Sequence, residues 1–171
     1  GGGRKVAGPI SYIDVWPTLA RVSGFPADTG RNPRPLDGVD VWDVITGQAK
    51  PPERPLFSYF ERYQSELLSV IDWPWKLVRK GPPILGANRA DAPPAGAAAV
   101  RMDPLSVELF RLDSDPYEQQ NIAEQNPQKT GELLEAVRRF RAQRPRGGVP
   151  PMTAPPPPGW KAPVNWQMRV E

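Results

Sequence analysis

Proline limits this chain more than any other residue. There are 24 of them beside 15 glycines, together roughly 23% of the sequence and just under the range where composition alone points to disorder. Each proline removes a backbone donor and fixes φ, which excludes it from helix interiors and central strands. Helices and strands must therefore be short. Leu, Ile, Val and Phe make up about 22%, only a little above the fraction below which a chain usually cannot bury a core. A length of 171 residues suits one small core and not two full domains.

Cysteine and histidine are both absent. That excludes thiol catalysis, disulfides, zinc sites built on Cys and His, and a Ser-His-Asp triad within these residues. No run of about 18 apolar residues exists, so no membrane-spanning helix is expected. The net charge of +3 comes from 22 basic and 19 acidic residues mixed along most of the sequence. The one basic cluster, Arg138, Arg139, Arg141, Arg144 and Arg146, reads as the solvated face and C-terminal end of a helix, where cations suit the dipole. No aromatic platform accompanies it, so a nucleic-acid partner is not expected. Gly1-Gly2-Gly3-Arg4-Lys5 shows neither P-loop nor dinucleotide spacing. It also lacks an initiator Met and an apolar signal segment. An internal start is the expectation: a processed chain, or part of a longer one.

The pattern predicts a short strand over Val6 to Ile13, then a helix capped by Asp14 and stopped by Gly24, with Val15, Leu19 and Val22 on a buried face. Leu36-Asp37-Gly38 reads as a tight turn. A second helix follows, capped by Asp40, with Val41, Val44 and Ile45 inward and Gly47 as terminator. After Pro51-Pro52 the period changes. Leu56 to Phe60, Leu67 to Asp72, Trp75 to Arg79 and Val107 to Leu112 read as strands, the second and third joined by a turn at Trp73-Pro74. Residues 81–104, rich in Ala, Pro and Gly, form a mobile loop by composition. Asp115-Pro116 and Asn126-Pro127 each read as a cap with proline at the first helical position. The second opens the longest helix, with Leu133, Leu134, Val137 and Phe140 on one stripe. The proline-rich tail, 145–171, is expected to wrap a larger body through Trp160 and Trp166. The fold class is α+β: a small antiparallel four-stranded sheet packed on a long C-terminal helix, preceded by a strand–helix remnant.

Few residues invite chemistry. Asp37 with Asp40, and Asp113 with Asp115, lack the spacing of a calcium loop and suit turns and caps. Glu61 and Glu66 bracket Arg62 and Tyr63 in what reads as a polar hairpin loop. Catalytic and metal-ligating residues are expected to number none.

Ile10-Ser11-Tyr12-Ile13-Asp14-Val15-Trp16-Pro17-Thr18-Leu19-Ala20, with Gly24, resembles the "H-I-D-x-x-P-T-L-x-x-x-A-G" segment of sulfatases. Leu36-Asp37-Gly38-Val39-Asp40-Val41-Trp42 is similar to the "L-D-G-x-x-x-W" segment that follows it there. Trp75-Lys76-Leu77 matches a "W-K-L" strand, and Leu109 to Ile122 matches "L-(F/Y)-D-L-x-x-D-P-x-E-x-x-N-L". The order agrees throughout, and the likeness is to the C-terminal part of the arylsulfatase B (N-acetylgalactosamine-4-sulfatase) type. The resemblance implies that residues 1–50 end an α/β catalytic domain, that 51–144 form a C-terminal α+β subdomain, and that the chemistry lies elsewhere. In that family a Cys or Ser within "C/S-x-P-x-R" becomes formylglycine, beside a calcium or magnesium ion. Here the nearest lookalike, Ser114-Asp115-Pro116-Tyr117-Glu118, has Glu where Arg is required. The implied partners are an N-terminal catalytic domain and a sulfate-ester substrate, possible sulfated sugars among them, and the implied location is periplasmic or extracellular. Tyr59, Glu61 and Arg62, with Arg89 and Arg101 of the following loop, are candidates for the rim of a substrate cleft, since the guanidinium fork suits sulfate oxygens. Two other readings stay open: a non-catalytic module binding a partner through the proline-rich tail, and part of a related phosphoester or phosphonate hydrolase.

Overall fold

The computed structural model describes residues 3, 5–6, 8–27, 35–62, 65–84, 103–144 and 158–161, the side chains of 61 and 62 excepted. The centre is a four-stranded antiparallel sheet in the order β1 (Leu56–Arg62), β2 (Ser65–Asp72), β3 (Trp75–Gly81), β4 (Ser106–Arg111). All four strands lie within two residues of where the sequence pattern puts them. The expected turn joins β2 to β3, with Asp72 opposite Trp75 and a cis Trp73–Pro74 bond.

Side chains alternate across a sheet, so every second residue of β2 shares a face. Glu66, Leu68 and Val70 point one way and are fully buried, whereas Leu67 is exposed on the other side. Leu77 of β3 and Leu109 of β4 join the buried face. The helix α3 (Pro127–Ala142) covers it, with Pro127 at the first position, where its missing N–H costs no bond. Leu133 and Val137 are buried on α3, one turn apart, with Leu134 and Phe140 packed beside them. Phe140 stacks on Phe57 of β1, centroids 4.5 Å apart. Each fully buried aliphatic side chain contributes about 1.5–3 kcal/mol relative to exposure, and this single cluster is the main source of that stabilisation.

A smaller layer precedes the sheet: a 3-10 turn (Tyr12–Asp14), α1 (Val15–Ser23) and α2 (Trp42–Thr46). Here three sequence expectations are corrected. No strand forms between Val6 and Ile13 among the described residues. Gly8 takes a positive φ of 107°, Pro9 has no N–H, and the Ser11 N–H is bonded to Asp14 Oδ2 at 2.9 Å, so the segment offers no free ladder. On α1 the expected buried stripe faces outward: Val15, Leu19 and Val22 are exposed, and the buried residues are Pro17, Thr18 and Ala20. On α2, Val41 and Val44 are buried as the pattern predicts, but Ile45 is exposed.

Asp115 does not open a helix either. Its carboxylate accepts the N–H groups of Gln119 and Gln120 at 3.0 and 2.9 Å, and Glu118 sits at a φ of 56°, which closes a turn instead. The loop at 81–104 is described only at its two ends, and of the tail only residues 158–161, where Trp160 is half exposed. Arg89, Arg101 and Trp166 lie outside the described residues.

Candidate functional site

Tyr59 lies on β1 opposite Leu68, on the sheet face that α3 covers. Its ring sits 4.2 Å from the Arg141 guanidinium, a stacking distance at which the ring's negative face attracts a cation. Glu61 and Arg62 end β1, opposite Glu66 and Ser65. Of the five rim candidates, Tyr59 is therefore the one whose side chain is described, and it faces a cluster that the sequence pattern missed.

That cluster centres on Glu66, which is fully buried. One carboxylate oxygen accepts from Arg141 Nε. The other accepts from Arg79 Nη1 at 3.2 Å and from the Ile84 N–H at 3.1 Å. Arg79 also donates to the Pro82 carbonyl at 2.7 Å. Burial pulls the Arg79 guanidinium below its usual value, although the Glu66 charge opposes this and Arg138 adds to it. Glu66 is thus no member of a polar loop, and Arg141 is not part of a solvated basic face. The signal was present: Glu66 keeps the alternation of Leu68 and Val70, and Arg141 falls one turn beyond Val137 on the stripe that Leu133 begins. A buried carboxylate that accepts from two guanidinium groups and an N–H holds three parts of the chain together.

Two described positions beyond β3 are held at the same end of the sheet. Ile84 is fixed to Glu66. The Asp103 N–H donates to Ser65 Oγ and that hydroxyl donates back to Asp103 Oδ2, both at 3.1 Å. Lys80 closes the group at 3.2 Å from Asp103 Oδ1. The Lys80 ammonium, with help from Ser65, holds the Asp103 carboxyl below the usual carboxylate range. Both positions therefore meet the β1–β2 hairpin end of the sheet.

Tyr59 also borders a concave surface on the other side of β1. A depression of about 330 Å³ occupies the open face of the sheet, lined by Ser58, Phe60, Leu67 and Ser69. Lys76 also lines it and is paired to Glu118 at 2.6 Å. A second cavity of about 430 Å³ lies between Pro51, Arg54 and Trp73. The aspartates singled out by sequence all have structural duties. Asp40 accepts the Trp42 N–H at 2.9 Å and pairs with Arg21 at 2.7 Å. Asp113 pairs with Arg111, and the Asp37 carbonyl receives Arg54. Among the described residues no three acidic side chains gather as cation ligands would. Ser114 donates to the Arg111 carbonyl at 3.3 Å, and Glu118, which stands where Arg is required, is held by Lys76. Among the described residues, the aspartates and Ser114 do not fit the formylglycine and divalent-cation chemistry that the resemblance implies for its relatives.

No protein-family model matches the sequence. The chain is 32% identical over 149 residues to the steryl-sulfatase of Mus musculus, an alignment covering 79% of this chain and 22% of that protein. The crystal structure of Ps i-CgsB superposes with a TM-score of 0.55 at 16% identity, covering 79% of this chain and 25% of that one. The same protein in complex with k-i-k-neocarrahexaose superposes equally well. The chain thus spans about a quarter or less of the length of the proteins it matches. At that identity the structural likeness bears on fold alone, and the sequence match supplies the relationship. By sequence this chain resembles the C-terminal part of a sulfatase.

Proposed function

We propose that this chain is the C-terminal segment of an arylsulfatase-like sulfuric ester hydrolase, with a structural role and a place at the rim of the substrate cleft. The observation that carries the reading is the 32% identity to a sulfatase across 79% of the chain, in residues that contain neither Cys nor His. The nucleophile and metal ligands would belong to a preceding catalytic domain. The segment would then supply walls: the β1–β2 hairpin end with Tyr59, Glu61 and Arg62, and the neighbouring stretch with Arg89 and Arg101. Arginine on such a rim would meet a sulfate through two parallel N–H donors. A sulfated sugar is the substrate class that fits the arylsulfatase B-like segments best. The test is hydrolysis of an aryl sulfate, with calcium or magnesium supplied. The 171-residue chain alone should show no turnover above buffer, and metal-dependent turnover by it would contradict the proposal.

A further inference from the structure

The cavity of about 430 Å³ lies between the N-terminal layer and the β2–β3 turn, and its size is within the range that small-molecule sites occupy. Its walls are stiff. Pro9, Pro51 and Pro52 line it, and proline, with φ already fixed, has little freedom to lose. Gly8 closes the seam beside them: an added Cβ would stand 2.8 Å from Pro51 Cγ, so the two segments lie against each other. Arg54 is clamped on the Asp14 carboxylate and the Asp37 carbonyl, and Asp72 is held by Lys129 at 2.8 Å. One donor of this wall is unmet. Arg54 Nε is buried without a partner, an orphan of the kind that signals a missing acceptor. The remaining lining groups are free to bind. Trp73 is 45% exposed, and Lys50 and Glu53 are exposed and make no ion pair among the described residues.

We infer that this cavity is a binding site for a neutral saccharide. A sugar ring joins an apolar face of C–H groups to an edge of hydroxyls, each of them both donor and acceptor. The face suits the Trp73 indole and the proline rings. The hydroxyls suit Lys50 as a donor and Glu53 as an acceptor. Other ligand classes fit less well. A sulfate or phosphate would meet the carboxylates of Glu53 and Asp72, while both Nη atoms of Arg54 are already committed. A purely apolar ligand would bring no acceptor to a wall that lacks one. The cavity lies at the opposite end of β2 from the hairpin with Glu61 and Arg62, roughly 20 Å along the strand. The inference stands or falls without the sulfatase reading.

Fluorine NMR of the 171-residue chain labelled with 5-fluorotryptophan tests this, with lactose, cellobiose and inorganic sulfate as probes. The Trp73 signal, assigned by its loss in Trp73→Phe, should move saturably with at least one of the disaccharides at millimolar concentration. The Trp160 signal should stay in place. Glu53→Gln and Lys50→Met, at exposed positions outside every helix and strand, should each weaken binding severalfold and leave the unfolding midpoint unchanged. Followed by calorimetry, Trp73→Ala should lose tenfold or more in affinity, and Trp73→Phe, which keeps a ring, should lose less. No saturable shift with either disaccharide would overturn the inference. So would unchanged affinity in both Glu53→Gln and Lys50→Met, which would put the sugar elsewhere. A response to sulfate and not to the sugars would overturn it as well, and would reassign the cavity to an anion.

Discussion

Two buried carboxylates hold separate parts of the molecule, and each makes a distinct prediction. Removing one partner of a buried ion pair strands the other charge, at about 3–5 kcal/mol. Glu66→Ala should therefore lower the free energy of urea unfolding by that amount, and Arg141→Ala should do the same. The double variant Glu66→Ala/Arg141→Ala should lose less than the sum, because the two charges of that pair leave together and only Arg79 remains to be accommodated. Additive losses in the double-mutant cycle would contradict this account. Asp14 is 1% exposed and is bonded to the Val39 and Ser11 N–H groups and to Arg54. Burial pushes its carboxyl up, but the two N–H groups and the guanidinium outweigh that and hold it below its usual value of 3.8. A depressed carboxyl stabilises the fold above the unfolded value and loses that contribution as pH falls through the folded one. Stability should decline below pH 3.8, and Asp14→Asn should flatten the decline while lowering stability at neutral pH. Parallel unfolding curves for both proteins across the acid range would count against it.

At the scale of elements, the strands, α3 and the two N-terminal helices with their Gly24 and Gly47 stops were legible in the sequence, and the facing of the N-terminal layer was not. Strands β1 to β4 and α3 satisfy their own pattern, since Leu68, Leu77, Leu109, Leu133 and Val137 meet each other within the chain. Leu133→Ala should cost about 2–5 kcal/mol in chemical unfolding. The apolar period of α1 correctly marked a helix, yet that period says only which side is apolar and not what lies against it. Leu19→Lys on the exposed side should consequently leave the unfolding midpoint of this chain nearly unchanged, a contrast that a misread face would reverse. Gly38 was legible as a turn for the wrong reason. An added Cβ would fall 1.9 Å from the Ile13 carbonyl oxygen, so Gly38→Ala should destabilise by about 1–3 kcal/mol through overpacking, seen as a lower midpoint. Tyr59 proved to face Arg141, and the burial of Glu66, present in its alternation with Leu68 and Val70, was overruled because a single acidic residue beside a hairpin reads as solvated.

On the scale of the whole molecule, a small self-sufficient sheet-and-helix unit carries a helical layer whose apolar side is turned away from it. The Arg54 link to Asp14 and to the Asp37 carbonyl ties that layer to the chain just before β1. Such a molecule makes sense as part of a larger one, and the likeness to a fraction of a sulfatase supports the kind proposed above. The most direct measurement is mass spectrometry of the natural polypeptide, captured from its source cells with an antibody against this chain. The account predicts a product roughly four times as long as this one, with a peptide upstream in which Cys or Ser of a "C/S-x-P-x-R" segment has become formylglycine. A product of 19.0 kDa beginning at Gly1 would contradict it.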